Sequence, residues 1–281
     1  MFSQYNTTKP LQDMAKMRSF GPVARYERVL AYTPKPLPKP LIIGGPCQIE
    51  SKEQVTTIAN HLRMIGVKWM RGGVFSAGTY PGDYFGLRFD DLHMWRDIAD
   101  RKGLGLVIEV FDPREVEQVN AYADIVQIGA RAMQNYALLT EVAKLDKMVT
   151  LKRAPGATLD ELLGATEYLL KGKAQPILVE RGGASHLDHV RWELSCSLIA
   201  AVKRICNVPI LVDASHGSGR RDLVESLTLA GIAAGADGCI VECHPDPVNA
   251  RGADAIQTID LDSMTKLTDK VNRIYREIHN D

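Results

Sequence analysis

The chain has 281 residues, of which 45% are hydrophobic, 24% charged and 6% aromatic. This composition is typical of a globular protein and excludes a disordered or fibrous chain. The 34 Lys and Arg residues balance the 34 Asp and Glu residues, so we expect neither a general nucleic-acid binder nor a binder of anionic membranes. Five cysteines without a CxxC pair and the lack of a long apolar run predict a soluble, cytoplasmic protein.

The N-terminal segment differs in composition from the rest of the chain. Residues 1–40 are polar and end in TPKPLPKP, which has four prolines within eight residues. Because proline lacks a backbone N–H group, this stretch forms neither a helix nor a central strand. We therefore expect residues 1–40 to be an N-terminal arm or lid and residues 41–281 to be the catalytic domain.

From residue 41 onward, short runs rich in Val, Ile and Leu are separated by amphipathic helical patterns. The runs are nearly continuous in apolar residues, which is typical of parallel strands that are covered on both faces. The predicted strands cover 41–46, 68–74, 105–111, 125–129, 148–153, 176–181, 209–215 and 238–244. The clearest helical patterns cover 51–66, 157–172, 221–235 and 261–278.

Eight strands, each followed by a helix, predict an α/β protein with a (β/α)8 TIM barrel. The alternative is a doubly wound open sheet, which would usually carry a glycine-rich phosphate turn after its first strand. The first predicted strand leads into GGPCQIES, which does not match GxGxxG, and GxxxxGK[ST] occurs nowhere in the chain. We therefore favour the barrel.

In a TIM barrel the active site lies at the C-terminal ends of the strands. In this sequence those positions carry reactive or charged residues, namely Cys47, Arg71, Glu109, Asp112, Arg131, Lys152, Arg153, Arg181, Asp213, His216, Glu242 and His244. One such arginine alone would more often be a surface residue in a salt bridge. Five cations at one rim of an uncharged chain indicate an anionic substrate with phosphate and carboxylate groups.

Three of these residues are a candidate metal site. Cys47, His216 and Glu242 follow strands one, seven and eight, which are neighbours once the barrel closes. A thiolate, an imidazole and a carboxylate can bind a divalent metal ion, and Asp254 in the loop after strand eight can complete the set. No linear spacing marks this site, so the pattern alone leaves open whether Cys47 is a ligand or a small core residue.

Several long motifs occur in order along the chain: GGPCQIES, WMRGGVF, VIEVFDPREVE, YADIVQIGARAMQN, LLTEVAKLDKMVTLKR, ERGG, PILVDASHGSGRRDLV and AAGADGCIVECHPDP. In these motifs the chain resembles the 3-deoxy-D-arabino-heptulosonate 7-phosphate (DAHP) synthases of the type I-beta group. The sister family, the 3-deoxy-D-manno-octulosonate 8-phosphate (KDO8P) synthases, shares the fold, but GARAMQN and SHGSGRRDLV favour the heptulosonate branch. The resemblance implies a metal-dependent, aldol-type condensation of phosphoenolpyruvate with an aldose, classically erythrose 4-phosphate, that releases phosphate in the shikimate pathway.

The resemblance also implies roles for individual residues. The implied ligands of a divalent ion (Mn2+, Fe2+, Zn2+ or Co2+) are Cys47, His216, Glu242 and Asp254. The loop before Asp254 is one residue longer than the usual pattern, but D-x-x-Q persists as Asp254 and Gln257. The implied substrate-binding residues are Arg71, Arg131, Lys152, Arg181, Thr79 and Asp213. Lys152, Glu109 and His216 are the implied catalytic residues, with Glu109 near the attacking water.

One segment departs from the family pattern. After the second strand the family normally reads AFKPRTSP, whereas residues 74–81 read VFSAGTYP. Ser76 therefore replaces the usual lysine near both substrates, and Gly78 replaces the arginine that normally holds the aldose phosphate. We expect either that another cation, such as Arg153, Arg220 or one from the N-terminal arm, takes the phosphate or that the acceptor lacks a phosphate there.

Three alternatives to the classical reaction remain open at this point. The first is the same condensation on a different or non-phosphorylated aldose, and the second is the KDO8P synthase reaction. The third is a barrel that binds a metabolite without turnover, although such a protein would be expected to lose metal ligands first. The resemblance further implies a homodimer or homotetramer whose substrates are phosphoenolpyruvate and an aldose or aldose phosphate.

Overall fold

The computed structural model describes residues 26–73, 91–251 and 254–279. Within these residues, eight parallel strands close into a barrel in chain order, and the last strand pairs with the first. The strands are Leu41–Gly45 (β1), Trp69–Gly72 (β2), Gly105–Val110 (β3), Ile125–Ile128 (β4), Met148–Lys152 (β5), Gln175–Glu180 (β6), Ile210–Val212 (β7) and Gly238–Glu242 (β8). Each overlaps a predicted strand, so the TIM barrel is confirmed and the open sheet is excluded.

Helices surround the barrel and follow the order expected from the sequence. The α-helices are Glu27–Ala31 (α1), Lys52–Met64 (α2), Leu92–Lys102 (α3), Val116–Tyr122 (α4), Tyr136–Val142 (α5), Leu159–Leu170 (α6), Cys196–Ile205 (α7), Ala214–Ser218 (α8), Arg221–Ala233 (α9) and Leu261–His279 (α10). The four clearest helical patterns correspond to α2, α6, α9 and α10. Among the helices that the structure describes, none is both long and apolar enough to cross a membrane.

Side chains from alternate strand positions pack in two separate layers. One apolar cluster fills the barrel interior and consists of Leu41, Ile43, Val107, Ile125, Ile177, Val179, Leu211 and Ile240. The residues between them, such as Ile42 and Leu106, join a larger cluster between the sheet and the helices. Because successive strand residues point to opposite faces, a residue two positions after an interior residue again points inward, nearer the C-terminal end of the barrel.

Two glycines allow β1 to lie close to both of its neighbours. Gly45 has φ of 144°, and a side chain there would collide with the carbonyl of Arg71 on β2. Gly238, which begins β8, has φ of 159°, and a side chain there would collide with the carbonyl of Leu41. The close approach of β1 to β2 and of β8 to β1 therefore depends on two positions that only glycine fits.

The described part of the N-terminal segment lies against the N-terminal end of the barrel. The backbone amide of Val29 donates a hydrogen bond to the buried carboxylate of Glu167 on α6 at 2.7 Å. Leu37 packs against the interior apolar cluster, and Lys39 Nζ lies 3.0 Å from Asp237, just before β8. The arm or lid expected for residues 1–40 stays a prediction for residues 1–25, which lie outside the described part.

Asp237 ties three segments together at that end. Its carboxylate accepts hydrogen bonds from Lys203 Nζ at 2.9 Å and from the amide of Ile210 at 3.0 Å, in addition to the contact with Lys39. Burial alone would raise the pKa of Asp237, but these hydrogen bonds and charges outweigh burial and lower its pKa. A carboxylate with a lowered pKa stabilises the fold above about pH 4 and loses that contribution as the pH falls through the folded-state pKa.

Asp237→Asn should therefore lower the free energy of unfolding at neutral pH by about 2 kcal/mol, because the variant loses hydrogen bonds to a charged group. The difference from the wild type should shrink as the pH falls from about 4 through the lowered folded-state pKa of Asp237, where the wild-type carboxylate also becomes neutral. Urea unfolding followed by circular dichroism across this pH range measures both effects. Asp269→Asn on the exposed face of α10 is the matched control. An equal loss at every pH would contradict the ionic role of Asp237.

Candidate active site

The C-terminal mouth of the barrel collects a set of inward-pointing polar side chains. In chain order they are Cys47, Arg71, Glu109, Gln127, Lys152, Arg181, Asp213 and Glu242. Each lies an even number of residues after an inward position of its own strand, as Glu109 does after Val107 and Arg181 does after Val179. The strand alternation therefore makes the same barrel interior apolar at one end and charged at the other.

The four residues predicted as metal ligands lie together at this mouth. Donor atoms of Cys47, His216, Glu242 and Asp254 all lie within 4.8 Å of one another. Asp254 accepts a hydrogen bond from Cys47 Sγ at 3.3 Å, and His216 Nε2 lies 3.4 Å from a Glu242 oxygen. A thiolate, an imidazole and two carboxylates are a donor set that fits a divalent transition-metal ion.

The protonation of Cys47 depends on what occupies this cluster. Burial raises the pKa of the Cys47 thiol well above its ordinary value, and the charges of Glu242 and Asp254 raise it further. The thiol is therefore neutral when it faces only the two carboxylates. A bound divalent cation favours the thiolate instead, because a metal ligand must lose its proton.

Asp213, at the end of β7, orients two neighbouring groups. Its fully buried carboxylate accepts hydrogen bonds from Lys152 Nζ at 2.8 Å and from His216 Nδ1 at 2.8 Å. Burial alone would raise the pKa of Asp213, but the charges of His216 and Lys152 outweigh burial and hold it well below its ordinary value. Because Asp213 binds Nδ1, His216 directs Nε2 toward Glu242 and Asp254, as a metal-binding histidine requires.

Glu242 is held through both of its carboxylate oxygens. Arg71 Nη1 donates to one oxygen at 2.6 Å, and Gln257 Nε2 donates to the other at 2.8 Å. Burial would lower the pKa of Arg71, but the nearby charges, of which Glu242 is the largest, together outweigh burial and raise that pKa. The ligand cluster and the cationic part of the mouth therefore share this carboxylate.

Arg181, which follows β6, is a buried cation whose donors are not all used. The residue is only 5% exposed, and its Nε and Nη1 atoms have no hydrogen-bond partner among the described residues. Burial lowers the pKa of Arg181, and the nearby charge of Asp213 only partly offsets that effect. Buried donors without partners cost free energy unless a ligand satisfies them, so Arg181 marks a place for an anion.

The remaining predicted site residues are Arg131, Glu109 and Thr79, and the structure describes the first two. Arg131 is exposed in the short turn Ala130–Ala132 that follows β4. Glu109 accepts a hydrogen bond from Gln127 Nε2 at 2.9 Å, and a side chain at Gly129 would collide with its carboxylate. Thr79, together with the two replaced positions Ser76 and Gly78, lies outside the described residues.

Arg153 does not lie on the rim where the sequence analysis expected it. It directly follows the inward-pointing Lys152 and therefore points outward, where its Nε and Nη2 atoms bind both oxygens of Glu180 at 2.5 and 2.8 Å. Its Nη1 atom donates to the carbonyl of Ala157 at 3.0 Å. The prediction of a rim position for Arg153 is wrong because one residue reverses the direction of a strand side chain.

Two residues at the mouth were missed by the sequence analysis. Arg191, in the loop between β6 and α7, donates from Nη1 to Asp254 at 2.8 Å. Trp192 follows it, and its backbone amide donates to the carbonyl of Gly217 at 3.0 Å, which holds the loop against the mouth. The available signal was a tryptophan beside an arginine in an otherwise polar loop after the C-terminal end of a strand.

Comparisons with known proteins match most of this chain. The sequence profile of the DAHP synthetase I family matches residues 38–279. A phospho-2-dehydro-3-deoxyheptonate aldolase of Thermotoga maritima is 38% identical over 234 residues, covering 83% of this chain and 69% of the relative. A 2-dehydro-3-deoxyphosphooctonate aldolase of Desulfotalea psychrophila is 28% identical over 256 residues, covering 83% of this chain and 89% of the relative.

Solved structures agree with this assignment. The crystal structure of the T. maritima phospho-2-dehydro-3-deoxyheptonate aldolase (DAHP synthase) superposes with a TM-score of 0.80 at 37% identity and covers 84% of this chain and 69% of that one. A truncated form of the T. maritima 3-deoxy-D-arabino-heptulosonate 7-phosphate synthase gives a TM-score of 0.77 at 36% identity, covering 84% and 87%. The resemblance noted in the sequence is therefore confirmed, and the chain belongs to the DAHP synthetase I family.

Proposed function

We propose that this chain is a DAHP synthase, which condenses phosphoenolpyruvate with an aldose phosphate and releases inorganic phosphate. The observation that carries the proposal is the buried Arg181, with unused donors, in the same mouth as the four-residue ligand cluster. The names of the relatives support the heptulosonate product, since the T. maritima enzyme is 38% identical and the D. psychrophila octulosonate enzyme 28% identical to this chain.

The cations of the mouth provide a binding site for phosphoenolpyruvate. Arg181 and Arg131 bind its phosphate in this proposal, and Arg71 and Lys152 lie on its carboxylate side. Charge-assisted hydrogen bonds of arginine to phosphate and carboxylate are strong and directional. Asp213 has no exposed surface, so we assign it the positioning of Lys152 and His216 rather than direct contact with the substrate.

Cys47, His216, Glu242 and Asp254 would hold a divalent ion, for which Mn2+, Fe2+, Zn2+ and Co2+ all accept this donor set. When bound, such an ion supplies Lewis-acid polarisation of the carbonyl group of the acceptor. The protein contributes the geometry around it. Asp213 fixes the tautomer of His216, and Gln257 and Arg71 fix the orientation of Glu242.

The proposed reaction uses the remaining residues in two steps. C3 of phosphoenolpyruvate attacks the aldehyde carbon of the acceptor, the C=O π bond of the aldehyde opens to an alkoxide, and positive charge develops at C2. Water then adds at C2 and loses a proton to Glu109, whose carboxylate is held by Gln127. The resulting tetrahedral intermediate loses the proton of its C2 hydroxyl and expels phosphate, so that the two protons of the water end on the alkoxide oxygen and on phosphate. Arg181 and Arg131 stabilise the charge on the departing group.

For the acceptor, two residues of this chain raise a specific alternative to the usual way in which the aldose phosphate is bound. Ser76 and Gly78 remove two positive charges from the loop after β2, and neither residue replaces an arginine that binds phosphate. The structure also shows Arg153 buried against Glu180 and the exposed Arg220 paired with Asp222 at 2.6 Å. These contacts already use the charges of Arg153 and Arg220. The two alternatives are therefore a cation of the N-terminal arm that binds the acceptor phosphate and an acceptor without a phosphate at this position.

The oligomeric state of this chain stays a prediction. The homodimer or homotetramer implied by the resemblance is tested by size-exclusion chromatography with light scattering.

A barrel that binds a metabolite without turnover is the least favoured alternative, because the four predicted metal ligands are all present and lie together. It predicts phosphoenolpyruvate binding without phosphate release from any acceptor.

Metal binding should be visible without an activity assay. Co2+ added to the protein should give a thiolate-to-metal charge-transfer absorbance, because Cys47 is one of the four clustered donors. Cys47→Ser should abolish this band, and Cys196→Ser on α7 is the matched control that should keep it. A chelator should remove the band and the activity together. The same band in Cys47→Ser would contradict the ligand assignment.

Arg181→Met should weaken phosphoenolpyruvate binding by about 10- to 150-fold, since one lost charge-assisted contact costs about 1.5–3 kcal/mol. The Michaelis constant for phosphoenolpyruvate, measured by phosphate release at saturating acceptor, reports this change. Arg204→Met on the exposed side of α7 is the matched control. Unaltered binding in Arg181→Met would remove the main support for the proposed substrate site.

The acceptor is tested with a panel of aldoses. The carbon counts require a four-carbon aldose phosphate for the heptulosonate reaction and a five-carbon one for the octulosonate reaction, because phosphoenolpyruvate supplies three carbons. We expect Ser76→Lys/Gly78→Arg to improve the use of erythrose 4-phosphate relative to unphosphorylated aldoses, since it restores two positive charges. If the wild type uses erythrose 4-phosphate efficiently and the double variant does not differ, the altered-acceptor hypothesis is wrong.

A further inference from the structure

Two side chains at the mouth that lie against each other, Arg181 and Trp192, both carry unused hydrogen-bond donors. Nε and Nη1 of Arg181 and Nε1 of Trp192 are buried and have no partner among the described residues. The guanidinium carbon of Arg181 lies 5.5 Å from the centroid of the Trp192 ring. Arg181 already has a role in the proposed function, whereas Trp192 has none.

We propose that Trp192 is a positioning residue that holds the guanidinium of Arg181 in place for an anionic group of phosphoenolpyruvate. The inference rests on the proposed function and adds to it a residue outside the strands. Trp192 acts in this proposal through Arg181, by the contact of its ring with the guanidinium.

The other buried cations of the barrel show why Arg181 needs such a partner. They are held by carboxylates, in the pairs Arg71–Glu242, Lys152–Asp213 and Arg153–Glu180. A carboxylate fixes a cation but also occupies one or more of its N–H donors and neutralises its charge, as Glu242 does with Nη1 of Arg71. An aromatic face attracts a guanidinium through its π electrons and leaves the N–H groups at the edge of the guanidinium available. Arg181 can therefore be fixed while its donors stay ready for an anion.

Trp192 is itself fixed by the loop that carries it. Gly183 and Glu193 exchange two backbone hydrogen bonds of 2.9 Å across the loop, directly beside Trp192. Gly182 has φ of 91°, and a side chain there would lie 2.6 Å from Cβ of Trp192, so glycine lets the ring approach. The amide of Trp192 donates to the carbonyl of Gly217, as described above. The ring is thus a rigid support for Arg181.

The buried carboxylate of Glu180 anchors both ends of this loop. Its Oε1 atom accepts hydrogen bonds from the amide of Gly182 at 3.0 Å and from the amide of Ser195 at 3.1 Å. Arg153 binds the same carboxylate from the neighbouring strand. The outward-facing pair of Arg153 and Glu180 therefore supports the loop that brings Trp192 back to the mouth.

The chain has three tryptophans, and their positions provide a direct readout. Trp95 is completely buried on α3, and Trp69 begins β2 at the opposite end of the barrel. Trp192 alone among the three contacts Arg181. An anion that binds Arg181 should therefore change the fluorescence of Trp192 and leave the emission of the other two unchanged.

The experiment titrates phosphoenolpyruvate into the Mn2+-loaded protein and follows tryptophan fluorescence and binding heat in parallel. The variants are Trp192→Phe, Trp192→Leu and, as matched control, Trp69→Phe. We expect a saturable fluorescence change in the wild type and in Trp69→Phe but not in Trp192→Phe, which keeps an aromatic face and still binds. Trp192→Leu should raise the Kd and the KM for phosphoenolpyruvate about tenfold, or about 1.4 kcal/mol. The KM for the acceptor and the unfolding midpoint should stay near wild-type values.

The other outcomes would contradict either the role of Trp192 alone or the proposed function as well. Wild-type affinity for phosphoenolpyruvate in Trp192→Leu, or a persisting fluorescence change in Trp192→Phe, would overturn the role of Trp192 and leave the proposed function intact. Equal losses in the KM for both substrates together with a lowered unfolding midpoint would show a general structural role instead. If Trp192→Leu does not fold, the fluorescence comparison of Trp192→Phe with Trp69→Phe decides alone. Absence of phosphoenolpyruvate binding to the wild type would overturn the proposed function and this inference with it.

Discussion

A charge buried inside the barrel must be compensated, and this requirement determines how the mouth is built. Removing one member of a buried ion pair leaves the other charge in an apolar setting at a cost of about 3–5 kcal/mol. The compensated pairs are Arg71–Glu242, Lys152–Asp213 and Arg153–Glu180. Arg181 differs from these strand-end cations, because it forms no ion pair with a carboxylate among the described residues and a tryptophan ring lies beside it. A substrate anion would complete the set.

The same compensation joins the cluster of Cys47, His216, Glu242 and Asp254 to the cations that we propose to bind the substrate. Asp213 binds both Lys152 and His216, and Glu242 binds Arg71 while it lies among the ligand residues. A change at either carboxylate therefore alters two functions at once, and the effects of paired substitutions should not add. Fixed neighbours on both sides also keep these groups from reorganising when charge develops during a reaction, which is the basis of electrostatic preorganisation.

The sequence predicts the features that follow from local periodicity. The eight apolar runs mark the strands, and the residue at the end of each run marks the mouth, so Cys47, Glu242 and Arg181 are found without a structure. The position predicted for Arg153 was wrong because the direction of the side chain reverses with each residue of a strand. Composition does not define the end of a strand to within one residue. Trp192 was missed because hydrogen bonds between distant segments bring its loop back to the mouth, and no local pattern encodes such contacts. Whether Arg181 forms an ion pair likewise depends on neighbours from other strands, so the sequence alone does not predict it.

The two residues that depart from the family pattern, Ser76 and Gly78, come after the end of β2 in the sequence, away from the strand residues that form the buried ion pairs. Loss of a cation at Arg71 would leave the buried carboxylate of Glu242 without its charged partner and would disturb the ligand cluster. Ser76 and Gly78 instead follow the last residue of β2 by four and six positions in the sequence, and the buried ion pairs of the described residues do not include them. Loops tolerate substitution far better than buried networks do. Acceptor preference can therefore change in this fold while the residues that we propose to bind phosphoenolpyruvate, which lie on the strands and compensate one another's charges, are retained.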